Sequence, residues 1–319
     1  MLKQWRLALI LGAAMAMSIF ISACGGSSSG GAPSSGNTPS SGTTPTSASS
    51  TLGTPGSFNC VTGAITAAGS TALAPLVTAV AKDYQAKCTG ASVTVNLGGS
   101  GVGLASAENG SVQIGNSDVF KKPGQDDLVD HQVAIVVFTL VINSKVTGVT
   151  NLTTAQIQGI YSGKITNWSQ AGGPNLPIVV ISRPTTSGTR ATFQKYILGG
   201  PETITGPSSL VTDSTGTVAT EVNQTAGAIG YVTIGAAKKS NLTTINIDGN
   251  APDPMLVENN TYKFWNIEHM YTKGPASGLA QALIDYMLSD QGKQEGSTLG
   301  FIAITDMQQS ALQTHQPTS

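Results

Sequence analysis

Residues 64–84 read AITAAGSTALAPLVTAVAKDY, and the period of the apolar positions changes in the middle of the stretch. Residues 64–68 read as a buried strand. Gly69-Ser70-Thr71 interrupts it. Beyond the turn, Leu73, Leu76, Val77, Val80, Ala81 and Tyr84 recur at the i, i+3, i+4, i+7 spacing of one helix face. Pro75 is tolerated because it lies near the first turn, where no backbone N–H is needed. The unit is strand, polar glycine turn, helix.

The unit recurs downstream. Residues 93–97 form a second expected strand, followed by Gly98-Gly99-Ser100-Gly101 and a short helix. Residues 111–115 form a third, running into Asn116-Ser117-Asp118, and 132–143 are a long apolar, β-rich run. Strands separated by helical patterns predict an α/β fold with a mostly parallel sheet. Ligands of such sheets bind beyond the carboxyl ends of the strands. A second block repeats the logic: a helix at 153–161, a strand at 177–182, the octapeptide Arg183-Pro184-Thr185-Thr186-Ser187-Gly188-Thr189-Arg190, a helix with Phe193, Tyr196 and Ile197 inward, and a strand at 228–232. A final helix is expected at 279–288, with Leu279, Leu283, Tyr286 and Met287 on one face. No repeat of solenoid period is present.

A chain of 319 residues has room for about two domains. Charged residues make up 10%, against about 25% in an average protein. The formal charge of −1 gives no sign of a polyanion-binding surface, so nucleic acid is not an expected partner. Three Cys and three His are too few for a disulfide scaffold and give no basis for a metal site. No cofactor is implied.

Lys3 and Arg6 precede an apolar stretch at 7–21, shorter than a membrane-spanning helix needs. It ends in Ile21-Ser22-Ala23-Cys24, which looks like a bacterial lipobox. The likeness implies a signal peptide at 1–23, cleavage before Cys24 and lipidation of its thiol; the alternative is an ordinary N-terminal anchor with Cys24 incidental. Residues 24–57 are mostly Gly, Ser, Thr, Pro and Ala, the composition of a disordered tether. A coil of about 33 such residues spans roughly 30 Å. Removing Lys3 and Arg6 from 16 basic residues leaves 14 against 17 acidic, a net −3. Cys60 precedes the first strand and Cys88 follows the first helix, positions at the same end of a βα unit. A disulfide there is expected in an exported protein; two free buried thiols are the alternative.

Four turns carry candidate chemistry: Gly69-Ser70-Thr71-Ala72, Gly98-Gly99-Ser100-Gly101, Asn116-Ser117-Asp118 and Ser187-Gly188-Thr189. Three open expected helices, whose N-termini present free N–H groups and a positive dipole end to anions. Singly, each could be an ordinary helix cap. Arginine is sharper. Beyond residue 24 the chain has only Arg183 and Arg190. Arg183, at a strand end beside the Ser187-Gly188-Thr189 turn, suits bidentate recognition of a tetrahedral oxyanion. Arg190 fits a supporting role, pairing with an acid to orient the site. There is no GxxxxGK[ST], HExxH or CxxC. His131, His269 and His315 lie away from every candidate Ser motif, so no catalytic residue is assigned.

In combination and order, residues 65–73, Gly99-Ser100-Gly101, Ile114-Gly115-Asn116-Ser117-Asp118, the octapeptide 183–190 with Phe193, Asn151-Leu152-Thr153, residues 163–168 and Gly227-Ala228-Ile229-Gly230-Tyr231 resemble the phosphate-binding proteins of ABC importers, the PstS family. The resemblance runs from about residue 62 to the last helix. It implies a type II periplasmic-binding-protein fold: two α/β lobes, 58–142 with 266–319 and 143–265, closing on a ligand between them. The chain would return to the first lobe near 264–271. Ser70, Thr71, Ser100 and Asp118 would face inorganic phosphate from one lobe, and Arg183, Ser187, Gly188 and Thr189 from the other.

The implied function is capture of phosphate outside the cell membrane and delivery to an ABC permease and its ATPase, by a lipid-anchored monomer. Asp118 would accept a hydrogen bond from the proton that phosphate carries and sulfate lacks; the alternative for Asp118 is a turn cap. The rival functions are a binding protein for another oxyanion or a phosphonate, a phosphate-releasing hydrolase, and a sensor or adhesin that reuses the fold.

Overall fold

The structure, a computed structural model, describes residues 59–206 and 209–317. The expected signal peptide at 1–23, the Cys24 lipidation site and all of the 24–57 tether lie outside the described residues.

The first strand, β1 (Gly63–Gly69), leads into α1 (Ala74–Lys87), β2 (Ala91–Leu97), α2 (Ser100–Glu108) and β3 (Ile114–Ser117). All three strands are parallel, with β1 in the middle. The face read from the sequence is the buried one: Leu73, Leu76, Val77, Val80, Ala81 and Tyr84 are each at most 2% exposed. Gly69 is obligatory. Its φ is +133°, and a Cβ there would lie 2.2 Å from the Asn116 carbonyl oxygen and 2.7 Å from Gly103 Cα. Cys60 and Cys88 form a disulfide with an S–S distance of 2.12 Å, joining the chain before β1 to the end of α1.

The 15-residue strand β4 (Leu128–Ile142) comes next. It is followed by β5 (Asn151–Leu152), α3 (Thr154–Tyr161), β6 (Val179–Ser182), α4 (Gly188–Phe193), β7 (Ser209–Val211), α5 (Thr215–Gln224), β8 (Ala228–Thr233), α6 (Ile234–Lys239) and β9 (Thr243–Ile247). Strands β7, β6 and β8 are again parallel, with β6 in the middle. The chain closes with α7 (Pro254–Glu258), β10 (Trp265–Lys273), α8 (Gly278–Leu288), α9 (Asp290–Thr298), β11 (Phe301–Ile302) and α10 (Gln309–His315).

The order β2-β1-β3-β10-β4-β8-β6-β7 places two parallel blocks on either side of β10 and β4. Up to Val137, β4 runs antiparallel to β10 and β11. From Phe138 it runs antiparallel to β8 and β9. This is the two-lobed arrangement of a type II binding protein. The third strand differs from expectation by three residues, at 114–117 rather than 111–115. It continues through polar Asn116 and Ser117 because β1 and β10 both pair with Asn116 and β10 pairs with Ser117. The helix at 278–288 is not the last: α9 and α10 follow. An aromatic cluster backs α4. Phe193 lies 4.7 Å from Tyr161, 4.6 Å from Tyr231 and 5.2 Å from Phe264, centroid to centroid. This packing fixes where the start of α4 points.

Candidate functional site

Asp118 follows directly on the carboxyl end of β3, and its carboxylate is held from both blocks. Ser70, in the turn before α1, donates to Oδ1, and Thr189, in the first turn of α4, donates to Oδ2 at 2.9 Å. The Asp118 N–H donates to Ser100 Oγ at 2.9 Å, and its carbonyl accepts from Asn266 Nδ2 at 2.7 Å. Ser70 Oγ also accepts the N–H groups of Ala72 and Leu73, at 3.1 and 3.0 Å. Gly188 lets α4 approach this closely: a Cβ there would lie 2.2 Å from Ser100 Oγ and 2.9 Å from Asp118 Cβ.

Arg183 follows the last residue of β6 and is 1% exposed. Its Nη2 donates to Thr71 Oγ1 and to the Asp213 carbonyl, both at 3.1 Å, and Nη1 donates to Thr215 Oγ1 at 3.4 Å. Every one of these acceptors is a neutral oxygen. Its Nε has no hydrogen-bond partner, and Arg183 joins no ion pair among the described residues. Burial lowers its pKa from the ordinary value, opposed in part by the charge of Asp118. Taking such a cation out of water costs several kcal/mol, and neutral acceptors return only part of that. The guanidinium therefore favours an anion beside it.

Four helices begin around these two charges: α1 after Ser70-Thr71, α2 at Ser100, α4 behind the Ser187 cap and α5 behind the Ser214 cap. Ser187 Oγ accepts from Arg190 N at 3.2 Å, so its hydroxyl proton is left for another acceptor. Thr71 Oγ1 faces Arg183 and the start of α5: it accepts from Thr215 N at 3.2 Å and shares a bond with Thr215 Oγ1 at 3.0 Å. The eight residues singled out in the sequence, Ser70, Thr71, Ser100, Asp118, Arg183, Ser187, Gly188 and Thr189, thus line one buried cluster fed by both blocks.

Four further residues of the cluster were not foreseen. Asp213 and Thr215 hold Arg183; Asp213-Ser214-Thr215 ahead of an apolar face is a helix-start signature that could have revealed them. Asn266 and Glu268 lie on β10, two apart and therefore on one face, alternating with apolar Trp265 and Ile267. Glu268 is fully buried. Its pKa is held well above the ordinary carboxyl value, first by burial and then by the neighbouring Asp118.

Comparison with known proteins agrees with this geometry. The family model for the PBP superfamily domain matches residues 29–291. The chain is 41% identical over 250 residues to the phosphate-binding protein PstS of Bacillus subtilis (strain 168), covering 77% of this chain and 82% of the relative. Among solved structures, a proposed phosphate ABC transporter substrate-binding protein from Clostridium perfringens, with bound phosphate, superposes with a TM-score of 0.71 at 29% identity, over 76% of this chain and all of that one. An ABC-type phosphate transport receptor from Vibrio cholerae superposes with a TM-score of 0.61 at 27% identity, over 75% of this chain and 99% of that one. With two parallel blocks joined through β4 and β10, and a buried arginine and aspartate meeting between them, the chain belongs to the PBP superfamily and, within it, to the PstS family of phosphate-binding proteins.

Proposed function

We propose that this protein captures inorganic phosphate outside the cell membrane and delivers it to an ABC permease and its ATPase, as a binding protein rather than an enzyme. The lobes are 58–142 with 266–319, and 143–265. In this reading the mature chain is a monomer held at the membrane through lipid on Cys24.

The observation that carries the reading is the pairing of opposite demands in one dry site. Arg183 lacks a contacting counter-anion, so the ligand is an anion. Asp118 is a carboxylate in the same cluster, so the ligand must also offer a proton. Phosphate near neutral pH meets both conditions, and sulfate meets only the first. A site built around a required hydrogen bond rejects an analogue lacking it by about 10⁴–10⁵. Ser100 and Ser187 supply further donors through their hydroxyl protons, and Gly188 and Thr189 through helix-start N–H groups, while the Ser70 and Thr189 hydroxyls hold the Asp118 carboxylate in place.

Calorimetric titration with phosphate, then with sulfate, tests the reading, alongside mass spectrometry of the ligand retained on purification. Equal affinity for the two ions, or preference for a phosphonate, would replace it with a binder of broader or different specificity. Turnover of p-nitrophenyl phosphate would replace it with a hydrolase.

A further inference from the structure

Glu268 is 0% exposed, yet neither of its carboxyl oxygens has a hydrogen-bond partner. Its place explains the anomaly. Strands β10 and β3 pair His269 with Ser117, Met270 with Asn116 and Tyr271 with Gly115. Asp118 follows Ser117 at the bend that ends β3, and its carboxyl group lies close enough to act directly on the Glu268 carboxyl group. Written as anions, the two groups are both acceptors and can only repel. One proton converts the contact into an O–H···O bond.

We propose that Glu268 is a positioning residue of the phosphate site: a neutral carboxylic acid whose O–H donates to the Asp118 carboxylate and fixes which lone pair is left for the ligand. The inference rests on the phosphate-binding reading above. A carboxylate offers about four lone-pair sites. Ser70 and Thr189 each take one. The Glu268 proton takes a third, leaving one acceptor position for the P–O–H of the bound ion.

The charges around Glu268 agree with this assignment. From the end of β3 comes Asp118, which with burial disfavours a second negative charge. Arg183, from the other block, acts on Asp118. His269, next on β10, is committed to Asp130, its Nδ1 lying 2.8 Å from Oδ1. No cation among these reaches Glu268 to stabilise an ionised form.

The test uses the full chain and two variants, Glu268→Gln and Glu268→Leu. Glu268→Gln is neutral and keeps a donor; Glu268→Leu is neutral and has none. In infrared spectra of ligand-free protein at pH 8, the wild type is expected to show a protonated-carboxyl C=O band that Glu268→Gln lacks. This arm is independent of phosphate, so it separates failure of the proton assignment from failure of the functional reading. In phosphate titrations at pH 7, Glu268→Gln is expected to stay within about threefold of wild type, and Glu268→Leu to lose about tenfold, the scale of one hydrogen bond. Absence of the infrared band, a gain of about tenfold or more in Glu268→Gln, or equal affinities for the two variants would each overturn the proposal, the scale again being one hydrogen bond.

Discussion

Arg190 holds Arg183 by its backbone: Arg190 Nη1 donates to the Arg183 carbonyl oxygen at 2.6 Å. Glu202 steadies Arg190 from the other side, with Oε2 lying 3.6 Å from Nε. Glu202 in turn accepts from Tyr231 Oη at 2.7 Å and from Ser182 Oγ. The two arginines therefore divide the work. Arg183 keeps its charge free of any ion pair among the described residues, and Arg190 uses its charge to fix the end of β6.

Arg190→Ala should weaken phosphate binding by about 1–2 kcal/mol while leaving the binding charge in place. It should also destabilise the fold, because it leaves the buried Glu202 carboxylate with the Tyr231 and Ser182 hydroxyls but no cation. Adding Glu202→Gln should recover stability but not affinity. Denaturant melts and calorimetry on the single and double variants check both parts.

Arg183→Ala removes the only full positive charge in the cluster and should abolish phosphate binding. Calorimetry giving an affinity near that of the wild type would move the anion site elsewhere.

Asp118→Asn preserves shape and one acceptor but adds a donor. Phosphate loses a charge-assisted bond and escapes a like-charge penalty, so its affinity should change by about 1–2 kcal/mol or less. Sulfate loses its main source of rejection. The phosphate-to-sulfate ratio should fall by more than phosphate affinity does, as competition titrations at pH 7 would show.

Thr215→Val keeps the shape of the side chain and deletes the hydroxyl that meets Thr71 at 3.0 Å across the cluster. Loss of this bond between the two lobes should weaken phosphate binding by about 1 kcal/mol. Stopped-flow measurements should show faster phosphate release with an unchanged association rate.

His315 sets an acid limit on stability. It is stacked between Trp265, at 3.5 Å, and Tyr196, at 3.9 Å, and burial, reinforced by Lys195 and Lys263, pushes its pKa down to about 3. The native ring is neutral, whereas the unfolded chain binds a proton below about 6.5. Stability from this group is therefore full above about pH 6.5 and drains away as pH falls towards 3. His315→Phe should flatten the acid side of a melting-temperature profile between pH 7 and pH 4.

Where packing depends on side chains close in sequence, the fold was legible. The β1–α1 unit announced itself because its buried positions are Leu, Val and Ala at helical spacing. In α9 the buried positions include Gly292 and Gly296, so closeness of backbone replaces an apolar stripe and no periodicity survives. A Cβ on Gly292 would lie 2.2 Å from the Met287 carbonyl oxygen. The extension of β3 through Asn116 and Ser117 depends on β10, about 150 residues later, and no local pattern encodes that pairing. The site followed the same division. Turn residues at strand ends could be read directly, whereas Glu268 could not, because its role comes from a register between two distant strands.

β4 has a consequence for how the protein comes apart. Its first part completes the sheet of one lobe with β10 and β11, and its last part completes the other with β8 and β9. Neither lobe can lose this strand and keep its interior, so unfolding one exposes the spine of the other. Two lobes should melt as one cooperative unit, and cutting the chain near 138 should yield two fragments that each fail to fold alone. Side-chain parity gives the strand a second kind of authority. Deleting one residue near the change of partners would exchange the two faces of the strand beyond it, both of them buried over residues 133–142, so the length of this strand is fixed more tightly than its composition.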